Sequence, residues 1–231
     1  MTIEGLELAE CQVVVFTPSF HLETTAVLGA LLAIKDLKYD GDPIILPPNQ
    51  PVEAPRIVLR SKDEQHRVQA GPTRLDIFRR AVPGVTRPSI SDAILSSIPI
   101  IEAYKIATKA TFTRLAVVIK RTVQMDQPSS ALSHHFCKEQ WLAGPLNRPQ
   151  EFELHAHKVF TIPGSVAVNS WFRCKSAILN LPRDPRAVLV EQDLNTLDES
   201  QQEFELPQVQ SYLNATIPAF DEILNLYFPP K

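Results

Sequence analysis

The chain has 231 residues, 44% hydrophobic and 21% charged, with a formal net charge of −3. That balance excludes a wholly disordered chain and gives no overall drive toward nucleic acid or an anionic membrane. Three scattered cysteines (Cys11, Cys137, Cys174) argue against a disulfide framework, and the 7 glycines form neither a GxGxxG nor a GxxxxGK[ST] phosphate loop.

The segment from Met1 to Gln12 is acidic and has no basic stretch followed by an apolar core, so no signal peptide is expected. No apolar run approaches bilayer length, so the expected setting is cytoplasmic, away from membranes. Val13, Val14, Val15 and Phe16 form a β-branched run stopped by Pro18, the first expected strand. Leu22, Ala26, Val27, Ala30, Leu31, Ile34 and Leu37 then recur at helical spacing. Asp40-Gly41-Asp42-Pro43 supplies a turn, and the proline-rich stretch from Pro47 to Pro55 a loop. Arg56 to Lys62 alternates as a strand. Asp63-Glu64-Gln65 turns it back, His66 to Ala70 returns, and Arg74 to Arg79 continues the return beyond a break at Gly71-Pro72. Ser89 caps a helix from Ile90 to about Lys109 that Pro99 kinks or splits.

Leu115 to Met125 reads as a long strand, and Ser129 and Ser130 open a short helix toward Trp141. Glu151 to Ile162 and Val166 to Leu179 form a strand pair around Pro163-Gly164, followed by a strand from Ala187 to Leu194. Pro207 opens a last helix whose apolar stripe includes Val209, Tyr212, Leu213, Ile217, Phe220, Ile223, Leu224 and Tyr227, bent by Pro218. The order β-α-β-β-α is thus followed by β-α-β-β-β-α. The expectation is an α+β fold: one compact unit over 1–231, made of two similar halves, 1–110 and 111–231. The halves share a largely antiparallel sheet with helices packed on one face.

The run Pro55-Arg56-Ile57-Val58-Leu59-Arg60-Ser61-Lys62-Asp63 and the later Val68-Gln69-Ala70-Gly71-Pro72-Thr73-Arg74-Leu75 resemble a sporadically distributed bacterial family of uncharacterised proteins of similar length. So do the strand from Arg114 to Gln127 and the close of the chain, where Glu191 and Asp193 precede a helix ending at Phe220 to Phe228. The resemblance covers most of the chain through structural signatures, and the first strand departs from the family's form. It implies no particular activity. The family's patchy distribution implies mobile genetic elements, where defence and toxin–antitoxin modules are common.

Few residues suggest chemistry. His155 and His157 share a strand face, as a metal site needs, with Cys137, Glu153, His134 and His135 as further donors, but two solvated histidines explain the pattern as well. No serine or cysteine has a catalytic signature, and Glu203, Glu205, Asp221 and Glu222 read as solvated helix flanks. Residues 56–87 carry a local balance of +5, and residues 191–231 one of −7. These segments either neutralise one another, within the fold or across a homodimer, or Arg56, Arg60, Arg67 and Arg74 bind an anion. Arg56 and Arg60 flank Val58 and so share a strand face. No aromatic is interleaved among these arginines, which disfavours single-strand stacking.

The expected function is a non-enzymatic protein-interaction module, an antitoxin, immunity or phage-defence accessory protein. It needs no cofactor and has a protein partner or a second copy of itself. The alternatives are a nucleic-acid or nucleotide binder using the arginine-rich hairpin, and a metal-dependent enzyme centred on His155 and His157.

Overall fold

The computed structural model describes residues 3–37, 39, 43–47, 49–179, 185–198 and 202–230. The Asp40-Gly41-Asp42 part of the expected turn lies outside them. The first strand, β1 (Glu7–Phe16), is longer than its valine run, because Glu10 and Gln12 are paired on both sides in the ladder and Glu7 and Leu8 on the β6 side. Helix α1 (Thr24–Leu32) follows and gives way to a 3-10 turn over Lys35–Leu37. A two-residue strand, β2 (Ile44–Ile45), precedes β3 (Ile57–Arg60), β4 (His66–Ala70) and β5 (Arg74–Arg80).

Arg74–Arg80 does not prolong β4 as the sequence suggests. The chain reverses at Gly71, and β5 runs back beside β4 with Ala70 opposite Leu75. Gly71 N–H donates to the Arg74 carbonyl at 2.9 Å. A Cβ at this position would lie 3.3 Å from the Ala54 carbonyl oxygen, so the close loop contact favours glycine. Tyr104 locks the turn by donating its hydroxyl to the Gly71 carbonyl at 2.9 Å.

Pro99 splits the next helix into α2 (Ile90–Leu95) and α3 (Ile98–Thr108). It sits in the first turn of α3, where its missing N–H breaks no helical bond. Ser89 caps α2, its hydroxyl oxygen accepting from the Asp92 N–H at 3.0 Å. The second part of the chain contains β6 (Arg114–Gln124), α4 (Pro128–Phe136), α5 (Glu139–Leu142), β7 (Glu153–Thr161), β8 (Ala167–Ile178), β9 (Arg186–Thr196) and α6 (Leu206–Tyr227).

Among the described residues the strands join one open sheet of nine, in the order β2-β3-β4-β5-β1-β6-β9-β8-β7. Every neighbouring pair is antiparallel, including β1 with β6 at the centre. The architecture is therefore α+β. Cys11, Val13, Val15, Leu59, Val68, Leu75, Ile77, Val117 and Ile119 pack with Val27, Leu31, Ile94, Ile101, Tyr104, Leu213 and Phe220 in the larger core cluster. A smaller cluster joins Phe172, Cys174, Val188 and Val190 to Ala131, Leu132 and Phe228. In each strand the cluster residues alternate with residues that point the other way, except at the β1 bulge between Leu8 and Glu10. Val14, Val58, Phe78 and Ala116 are buried on that opposite side and belong to neither cluster. Among the described residues, no helix is long and apolar enough to cross a membrane.

Candidate functional site

Register aligns the residues that point away from the two clusters into rows across the sheet. One row reads Arg60, Arg67, Phe78, Gln12, Val118, Asp193, Trp171, His157, from β3 through β4, β5, β1, β6, β9 and β8 to β7. At about 4.8 Å per strand it extends over about 34 Å. A neighbouring row carries Arg80, Glu10, Lys120, Glu191, Arg173 and His155, nearly alternating in charge.

The second row is largely self-neutralised. Glu10 accepts from Arg80 Nε at 2.6 Å and from Lys120 Nζ at 3.1 Å, and Glu191 pairs with Arg173. Burial opposes ionisation of Glu10, but Lys120 and Arg80 hold its carboxyl below the ordinary range.

The first row is not neutralised in this way. The Arg67 guanidinium lies over the Phe78 ring, 3.9 Å from its centroid. Its Nε is buried without a hydrogen-bond partner. Burial, then Arg80 and Arg60, lower its pKa, and Glu10 opposes the shift. Arg60 stands directly opposite Arg67 in the β3–β4 pair. Among the described residues no ion pair engages Arg60, Arg67 or Arg114.

Further along the same face, Arg74 and Arg114 both approach the Phe16 ring, at 5.9 and 5.3 Å. Arg74 grips Asp76 with two hydrogen bonds of 2.7 and 2.8 Å. Arg114 donates to the Asn195 side-chain oxygen at 2.7 Å, while its Nε is buried without a partner. Asn195 continues the network to Asp193 and Asn169, and Asn169 meets His157 Nε2 at 3.1 Å. His157 stacks on Trp171 at 4.0 Å, and Arg173 lies 5.6 Å from the same indole. Burial raises the pKa of Asp193, and the Asn195 hydrogen bond opposes it. This face thus offers guanidiniums braced by aromatic rings, amide hydrogen-bonding groups and a partly desolvated carboxyl.

The four arginines singled out by sequence do not share one environment. Arg60 and Arg67 are cross-strand neighbours, and Arg74 is committed to Asp76. Arg56 is buried and donates to the carbonyls of Gln50, Pro51 and Ala54 at 2.9, 3.2 and 2.9 Å. It braces the proline-rich loop and does not form an anion fork with Arg60. Three carboxylates of the acidic segment meet cations outside the basic one. Glu191, Glu205 and Asp221 pair with Arg173, Lys105 and Arg121, while Arg80 and Arg87 pair with Glu10 and Glu7.

His155 and His157 do lie on one strand face, but His155 meets Glu153 at 2.7 Å and His157 meets Asn169 and Trp171. His135 is elsewhere, at the Tyr227 carbonyl and the Phe228 ring. Among the described residues no three His, Cys, Asp or Glu side chains form a metal-binding group. A cleft of about 920 Å³ opens at the first turn of α4, between Arg148 and Arg186, and no residue of the rows above lines it.

Sequence reasoning missed Phe16, Phe78, Arg114 and Trp171. Alternation within each strand contained the signal for which way they point. Only the register reveals which cation meets which ring. Scanned against protein-family models and searched against curated proteins, the chain gives no match.

Proposed function

We propose that the protein is a non-enzymatic binding module whose working surface is the sheet face carrying Arg67, Phe78, Gln12, Asp193, Trp171 and His157. In this reading the helices lie together behind the sheet and leave that face open to a protein partner. The observation that carries it is the segregation of side chains. Strand residues of one alternation join helix residues in the two clusters, whereas even the buried apolar residues of the other alternation belong to neither. A solvent-facing sheet needs polar cover, but four ring–cation contacts to Phe78, Phe16 and Trp171 preorganise arginines beyond what solvation requires.

The same reading includes an internal duplication. A pseudo-two-fold axis between β1 and β6 would exchange β5 with β9, β4 with β8 and β3 with β7. The support is topological: each central strand precedes a helix and a meander whose last strand returns beside it. The narrower role, as antitoxin, immunity or phage-defence accessory protein, rests on the family resemblance alone.

The test compares partners captured by three tagged proteins in the native host: the unaltered chain, Asn169→Arg on the face, and Glu222→Arg on α6. Loss of one specific partner from the face variant alone, with melting unchanged, supports the proposal. Equal capture by all three, or loss only from the α6 variant, overturns it.

A further inference from the structure

The surface identified above has an electrostatic defect at its β3–β4 end. Like charges directly opposite one another across an antiparallel pair are destabilising. Arg60 and Arg67 stand in that relation, and no carboxylate among the described residues pairs with either. The strongest acidic influence on Arg67 is Glu10, which already serves Arg80 and Lys120. The Phe78 ring holds one face of the Arg67 guanidinium and leaves its N–H edges for other partners. Its Nε donor is buried and has none, which costs free energy and leaves the exposed Nη groups to meet an anion.

We propose that Arg60 and Arg67 form an oxyanion site for a phosphoryl group. The proposal rests on the reading of this sheet face as the working surface and specifies the ligand chemistry at one end of it. The choice of phosphate follows from acceptor geometry. The carboxylate of Asp76 shows the simpler case, matched by the single guanidinium fork of Arg74. Two guanidiniums carried on directly paired positions can engage more acceptor atoms and more charge, which a phosphoryl group supplies through its non-bridging oxygens. Arg56 and Arg74 are not part of the site, because loop carbonyls and Asp76 already occupy them.

The experiment measures binding of inorganic phosphate by calorimetry and of a fluorescein-labelled oligothymidylate by anisotropy, both at low ionic strength. The proteins are the unaltered chain, Arg60→Ala, Arg67→Lys and, as a control, Arg87→Ala, which removes an exposed cation from outside the row. Arg67→Lys keeps the charge and removes the fork, so a diffuse electrostatic surface would tolerate it. The expected result is binding weakened about tenfold by Arg60→Ala and by Arg67→Lys, the loss of one charge-assisted hydrogen-bond set, with Arg87→Ala unaffected. Binding of both probes identifies a self-sufficient phosphate site, and binding of the oligonucleotide alone identifies a phosphodiester chain as the source. Either outcome with that variant pattern supports the proposal. Absence of binding to both probes overturns it, as does equal binding by Arg67→Lys and the unaltered chain. Partner capture that still depends on Asn169 would then leave the broader surface reading standing.

Discussion

Replacing Phe220 by Ala measures how firmly α6 is anchored on the sheet. Phe220 is fully buried in the larger cluster, and its backbone carbonyl accepts from the Gln192 side chain at 2.8 Å. Removing the ring leaves a cavity between helix and sheet, at a cost of about 3–5 kcal/mol for a phenylalanine in such a site. For a chain of this size each kcal/mol lowers the melting temperature by about 2–4 °C, so the expected fall is about 6–20 °C. The same helix supplies internal standards. Leu224 is half-buried at the edge of the smaller cluster, so Leu224→Ala should cost about half as much, and Leu226, 79% exposed, should change stability by less than about 0.5 kcal/mol. Urea denaturation followed by circular dichroism gives all three values with a common m-value. Equal losses at Phe220 and Leu226 would refute the orientation of α6, whatever their size.

Arg56→Ala should destabilise the chain by about 2–3 kcal/mol and speed proteolysis in the Gln50–Ala54 loop, because three carbonyls lose a charged donor; Arg60→Ala, at an exposed position, should stay within about 0.5 kcal/mol, and a reversed order would overturn both assignments. In the native protein Cys137, partly exposed at the end of α4, should be the cysteine that reacts with a thiol reagent. Cys11 and Cys174 are buried, which pushes both thiols up, that of Cys174 to about 12, and labelling of either before unfolding contradicts this packing. Burial, together with Arg79, lowers the His66 pKa to about 4 against Asp63. The folded state therefore excludes a proton that the unfolded state accepts near 6.5: stability is unaffected above that pH and falls by up to about 1.4 kcal/mol per unit as pH drops toward 4. His66→Gln should flatten that part of the stability–pH curve, and an unchanged slope would remove His66 as its source.

Most of the elements were legible in the sequence, because their signals are local. The β-branched run at Val13 to Val15, the apolar stripe through Val209, Tyr212, Leu213 and Phe220, and Ser89 ahead of Pro99 each act within a few residues. It also located the charge-rich hairpin, though not the reversal at Gly71, which depends on the nearby Ala54 carbonyl. The partner of each charge depends on contacts between distant segments. Arg56 and Arg60 share an alternation, yet one is buried by the Gln50–Ala54 loop and the other is left opposite Arg67. Phe78 lies beside Arg79 in the chain, but its ring supports Arg67 on the neighbouring strand. Trp171 and Asp193 are 22 positions apart and become direct cross-strand neighbours. Strand register is set by the whole ladder and by the turns that fix its ends, so a row of side chains spread over eight strands has no contiguous signature in the sequence.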